Sequence, residues 1–132
     1  LSNKDYIKNK DYIKIWGKRK DAYKMIYAAD LFIFPTRAEA FPRVILECMT
    51  LRTPILSSNV DGISEMLEDN SSAILFSHSN YNKIIEGVER FYNNNELSRK
   101  FTKQAHRQYW DNFSREKQIN RFRVLFQKLE II

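Results

Sequence analysis

Three short, continuous apolar runs limit this chain to few architectures: Leu31–Phe34, Pro54–Leu56 leading into Ser57, and Ala73–Phe76. A strand with one wet face alternates polar and apolar residues. A run apolar at every position instead reads as a strand covered on both faces, as in a parallel sheet with crossover helices. Between the first two runs lies a dense apolar segment, Phe41–Leu51, with one carboxylate, Glu47. Glu39 sits just upstream, so the pair reads Glu-x7-Glu.

The rest of the chain fills in around these runs. Residues 1–12 are polar and Lys/Asn-rich, an irregular lead-in, and Ile13–Trp16, closed by Gly17, is a strand candidate. Ala22, Met25, Ile26 and Ala29 recur at helical spacing, predicting a helix over Asp21–Ala29. Thr36–Ala40 is a loop, Pro42 suits the first turn of the Phe41–Leu51 helix, and Thr53-Pro54 ends that helix. Pro54–Ser58 is the next strand, Asn59–Gly62 a turn and Ile63–Leu67 a short helix. Helices over Asn80–Tyr92 and Glu96–Tyr109 follow, and Ser114 caps a final one. The prediction is an α/β fold: a Rossmann-like parallel sheet of about four strands flanked by helices, with a helical tail. It forms one domain over residues 1–132, with its core at 13–110 and a last helix at 114–130.

Cys48 is the only cysteine, so an internal disulfide is excluded and a reducing, cytoplasmic setting fits. It lies in the most apolar segment and reads as a buried small hydrophobe, not a nucleophile. The net charge of +6 is unevenly spread: +4 over residues 1–30, −3 over 31–80 and +5 over 81–132. A nucleic-acid binder concentrates basic and aromatic residues on its working surface. Here the middle is acidic, so nucleic acid is not the expected partner. The basic ends are solvated faces or a contact for an acidic surface such as a membrane.

In α/β folds ligands sit at the carboxyl ends of strands, where loops feed helix N-termini. Thr36–Phe41 is such a loop, and past Pro42 the N–H groups of Arg43, Val44 and Ile45 point back toward it, a ready site for phosphate. The Glu47 helix is apolar in nearly every direction, so burial of Glu47 is expected. A buried carboxylate needs donors, such as a ribose diol. The alternative is a weak Arg43–Glu47 pair at i, i+4. Glu39, beside a helix N-terminus, can equally be a dipole-stabilised neighbour of the cap. There is no Asp-x-Asp, and His78 and His106 are isolated in sequence, so no metal ligands are expected.

The stretch ADLFIFPTRAEAFPRVILECMTLRTPILSSNVDGISEMLEDNSSAILF resembles the donor-binding, C-terminal half of retaining GT-B glycosyltransferases, specifically glycosyltransferase family 4 (group 1). Two acids eight apart are common. Framed by ADLFIFPT, the TPI strand and DGISE at the right offsets, the pattern is specific. The resemblance implies that Glu39 is the catalytic-site acid lying against the donor sugar. Ala40, Phe41, Pro42 and Arg43, with Val44, line the sugar and diphosphate, and Glu47 binds the ribose hydroxyls. Thr36 matches the serine after the strand, and Gly17, Lys18 and Arg19 match the turn bordering the nucleobase.

Some positions depart from the family pattern. Ala40 replaces a glycine, Pro42 stands where glycine is frequent, Leu51-Arg52 replaces a small residue and glycine, and Asp61 replaces the first glycine of a pair. The implied activity is hexosyl-type transfer from a nucleotide-diphosphate sugar, with retention and without metal or other cofactor. The implied acceptor is a glycan or lipid-linked precursor of a polysaccharide. Family members also carry an N-terminal acceptor domain and two earlier donor-domain strands. This chain lacks their pattern, so it is expected to be inactive alone, its last helix crossing onto that domain. The implied location is cytoplasmic, including the inner face of the membrane. The alternative is a non-catalytic nucleotide-sugar-binding or assembly subunit.

Overall fold

The computed structural model describes residues 12–77 and 80–131. The three apolar runs become strands β1 (Phe32–Phe34), β2 (Ile55–Ser58) and β3 (Ile74–Phe76), and the segments between them become helices. Helix α1 (Ala22–Ala28) precedes β1, α2 (Arg43–Leu51) joins β1 to β2, and α3 (Asp61–Met66) joins β2 to β3. Then come α4 (Asn82–Tyr92), α5 (Asn95–Gln108), a π-helical turn (Tyr109–Phe113) and α6 (Arg115–Lys128).

The sheet is parallel, in the order β1-β2-β3. Phe32 stands opposite Ile55, and Leu56 opposite Ile74. All four residues of β2 are buried, as expected of a strand covered on both faces. Its alternation divides the core. Ile55 joins a cluster with Ile26, Ile45, Met49 and Ile63, whereas Leu56 joins Ile74, Phe76, Phe91 and Phe101. Helices thus cover both faces of the central strand, whereas on the edge strand β1, expected to be covered likewise, Ile33 remains 40% exposed because no described helix packs over that face.

Ile13–Trp16 is not a strand. All four residues are exposed, and the sheet has three strands among the described residues rather than about four. Branched and aromatic residues fit a pleated surface, but a strand also needs a neighbour for its N–H and C=O groups. Asp61 and Gly62, predicted as part of a turn, already belong to α3. Pro42 lies one residue outside α2, as its N-cap. The lead-in over residues 1–11 and His78 fall outside the described residues.

Helix α2 ends at Arg52, which adopts the left-handed conformation (φ 58°, ψ 36°), and the N–H of Thr53 reaches the Cys48 carbonyl at 3.1 Å. Glycine favours that position because a Cβ there crowds the backbone. Arg52→Gly is therefore expected to stabilise the chain by about 0.5–1 kcal/mol, read as a rise of a few degrees in Tm. An unchanged or lower Tm would mean that the arginine side chain offsets the strain.

Helix α6 stands apart from the core. It packs mainly on the π-helical turn, and every described residue from 115 onward is exposed. Ser114 caps it, accepting from the Lys117 N–H at 3.4 Å. Ile119, Phe122, Leu125 and Phe126 are uncovered by the rest of the described chain. No described helix is long and apolar enough to cross a membrane.

Candidate functional site

The loop from Thr36 to Pro42 leaves the carboxyl end of β1 and delivers the chain into α2. Thr36 turns it: its N–H reaches the Phe34 carbonyl at 3.0 Å, and its Oγ1 donates to the Ala38 carbonyl at 3.3 Å. Glu39 is half-buried and Ala40 exposed. Pro42 is buried and caps α2 without a side-chain hydrogen bond. The Ile45 N–H is already used, bonding the Pro42 carbonyl at 3.1 Å. The N–H groups of Arg43 and Val44 have no acceptor among the described residues. Two free amide donors, rather than three, therefore face outward at the positive end of the helix.

Glu47 is exposed, not buried as its apolar neighbours suggested. Helix α2 meets the core along Ile45, Cys48 and Met49, spaced by three and four, while Val44, Leu46 and Leu51 are only half-covered. The opposite side belongs to Arg43 and Glu47, one turn apart. They do not pair: neither side chain makes an ion pair or hydrogen bond among the described residues. Next to Glu47, Cys48 is buried as expected. Burial, and secondarily the Glu47 charge, push its thiol up to about 12, which makes it inert.

A contact that sequence patterning missed holds the loop in place. The Gly62 N–H donates to the Glu39 carbonyl at 3.1 Å, and a Cβ on Gly62 would lie 1.6 Å from the Ala40 carbonyl oxygen. The start of α3 thus lies directly against the backbone beneath Glu39. Asp61, where the resemblance expects glycine, has φ of 22°, a region that favours glycine. The only signal in the sequence was a glycine at a helix start.

The structure thus joins Thr36, Glu39, Ala40, Phe41, Pro42, Arg43, Val44 and Glu47 in one loop-and-helix unit. Gly17, Lys18 and Arg19 lie on a separate, exposed turn ahead of α1, which packs along α2. Gly17 has φ of 63°, so a glycine suits that turn. Arg19 donates to both carboxylate oxygens of Asp21, at 2.9 and 2.8 Å, and lies 5.1 Å from the centre of the Trp16 ring. The hydrogen bonds raise the Arg19 guanidinium above its ordinary value and hold the Asp21 carboxyl below its own. His106 accepts from Trp110 Nε1–H at 3.2 Å, and burial lowers its pKa. No group of three potential metal-ligating side chains occurs among the described residues.

A parallel sheet flanked by helices, with a loop at a strand's carboxyl end feeding a helix N-terminus, is the arrangement of a GT-B-like glycosyltransferase fold. Solved structures agree at the level of fold. A glycosyltransferase from Rickettsia africae superposes with a TM-score of 0.82 over 90% of this chain and 32% of its own, at 19% identity. Anabaena Alr3699/HepE in complex with UDP and glucose gives 0.79 over 92% and 33%, also at 19% identity. The sequence pattern described as "Glycosyl transferases group 1" matches residues 4–108, and the chain belongs to that family. Among curated relatives, the alpha-D-kanosaminyltransferase of Streptomyces kanamyceticus is 32% identical over 81 residues, 61% of this chain and 21% of that enzyme. The chain therefore spans between a fifth and a third of the length of these proteins.

Proposed function

We propose that the chain binds a nucleotide-diphosphate sugar and, together with an acceptor-binding domain, transfers a hexosyl group with retention to a glycan or lipid-linked acceptor. The observation that carries the reading is the outward face of α2. Arg43 and Glu47 stand one turn apart, unpaired, beside two unused N–H groups. An anion meets those N–H groups and the Arg43 guanidinium together. A ribose diol gives Glu47 two hydroxyl donors for its two oxygens.

Glu39 then faces the donor sugar from a loop fixed by Gly62, and the Gly17–Arg19 turn borders the base. The reading needs no metal ion, because Arg43 and the α2 N-terminus supply positive charge for the diphosphate. The exposed apolar face of α6 fits a tail that crosses onto the acceptor domain. A cytoplasmic site, open to the inner membrane face, suits a lipid-linked acceptor and the basic tail. Support comes from family membership and from the nucleotide and sugar in the HepE complex.

Calorimetric titration of the chain with UDP, GDP and ADP tests this. Saturable binding of one nucleotide is expected, weakened by Glu47→Ala roughly tenfold or more, the usual worth of hydrogen bonds to a charged group. Equal affinity in the variant would remove the ribose role. Absence of binding to all three nucleotides would overturn the donor reading for this chain.

A further inference from the structure

Helix α6 has two unlike sides. At about 100° per residue, Ile119, Phe122 and Phe126 fall on one arc, and Lys117, Arg121 and Lys128 on another about 140° around the helix. The first arc is the apolar face that fits a crossing onto the acceptor domain. The second takes no part in that crossing. It borders a shallow groove of about 410 Å³ along α6, with Asn120, Val124 and Leu125 completing the lining.

The three cations of this stripe are exposed, and none makes an ion pair or side-chain hydrogen bond among the described residues. Glu116, the one carboxylate of α6, lies off the stripe. Lys117 and Arg121 are four residues apart, a spacing at which like charges on a helix repel. Between the cations stand Val124 and Leu125, 49% and 48% exposed. The stripe is therefore positive with an aliphatic centre, and it repels itself until something negative covers it.

Its length selects the partner. From Lys117 to Lys128 the helix rises about 16 Å, too far for one small anion to meet all three charges. Duplex nucleic acid supplies a row of phosphates but no apolar place for Val124 and Leu125. An anionic bilayer supplies both: headgroup phosphates for the ammonium and guanidinium groups, and an acyl boundary for the aliphatic side chains.

We propose that the stripe of Lys117, Arg121 and Lys128 docks α6 on the surface of an anionic phospholipid bilayer. The apolar arc stays turned toward the acceptor domain, so the two contacts use different sides of one helix. Arg121 also walls a cavity of about 610 Å³ with Phe41, Glu65 and Glu68, and it pairs with neither carboxylate. Phe41 is two residues beyond Glu39. Docking therefore holds the loop at the carboxyl end of β1 close to the bilayer, where the lipid-linked acceptor of the transferase reading resides. The stripe itself involves none of the donor residues.

The test is flotation of the 132-residue chain with two kinds of vesicle, pure phosphatidylcholine and phosphatidylcholine containing one quarter phosphatidylglycerol. Binding is expected to the anionic vesicles alone, and to fall steeply as salt rises. Replacing Lys117, Arg121 and Lys128 together by Gln should weaken it about a hundredfold, about fivefold per charge. Val124→Ser with Leu125→Ser should weaken it while the salt dependence persists. Circular dichroism checks the fold of each variant, and UDP affinity should be unchanged in both. Undiminished flotation of the charge variant would overturn the stripe, as would equal binding to neutral vesicles. Loss of binding in Ile119→Ser with Phe122→Ser, with none in the charge variant, would make the apolar arc the membrane face and overturn the proposal. Duplex DNA that strips the chain from vesicles at equal phosphate concentration would overturn the bilayer in favour of nucleic acid. UDP binding without flotation would overturn the docking and leave the donor reading standing. Flotation without UDP binding would support the docking and overturn the donor reading instead.

Discussion

Gly62→Ala is expected to lower the stability of the chain by about 3 kcal/mol and its Tm by roughly 10 °C. The added methyl would stand 1.6 Å from the Ala40 carbonyl oxygen and 2.4 Å from its carbon. Most overpacked side chains find relief in a rotamer change, but a Cβ has none and the obstacle is backbone. Either α3 withdraws from the loop or the loop lifts from α3. Both responses break the bond from the Gly62 N–H to the Glu39 carbonyl. The variant should therefore also bind nucleotide more weakly, because Arg43 and its free N–H groups lie just beyond the displaced loop. Thermal unfolding followed by circular dichroism, with a nucleotide titration well below the melting range, measures both. An unchanged Tm together with unchanged affinity would show that the loop is not anchored there.

The second large effect concerns the other side of the sheet. Phe101 is 1% exposed and meets Phe91 edge-to-face, with ring centres 6.0 Å apart and planes at 88°. It is the buried α5 residue in the cluster of Leu56, Ile74, Phe76 and Phe91, with Leu97 of α5 packed against that cluster. Phe101→Ala should cost about 3–5 kcal/mol, combining lost burial with the cavity left behind. Phe101→Leu should cost under about 1.5 kcal/mol, because most of the volume remains. Urea unfolding of the pair separates packing from a mere tolerance of small residues. Near-equal midpoints for alanine and wild type would mean that α5 is not anchored through this ring. The proposed nucleotide site lies on a different element, so the folded alanine variant should bind UDP as wild type does. Gly62→Ala should not.

The three strands and the helices between them were legible because their signals are local. The all-apolar runs mark the three strands, although only β2 is buried at every position and Ile33 of β1 stays exposed, and Pro35 and Thr53-Pro54 mark where strand and helix end. The Glu-x7-Glu frame was legible for the same reason, since a loop and the helix it enters keep their residues at fixed spacing. Ile13–Trp16 went the other way. It carries strand propensity, but propensity cannot supply a partner, and no described strand lies alongside it.

Glu47 separates the two kinds of knowledge most clearly. An apolar residue count around the helix implied burial, because composition cannot rank Val44, Leu46 and Leu51 below Ile45, Cys48 and Met49. Which arc of α2 meets the sheet depends on how the helix rolls against α1, α5 and β2, a matter of tertiary packing. The roll turns Glu47 outward with Arg43 and so makes it available to a ligand. Gly62 against Ala40 and the cavity beside Phe41 have the same origin. They join residues 22 and more than 60 positions apart, a range at which no periodicity in the chain carries a signal. Spacing along the chain decided which residues could form the loop into α2, and long-range packing decided which way they face.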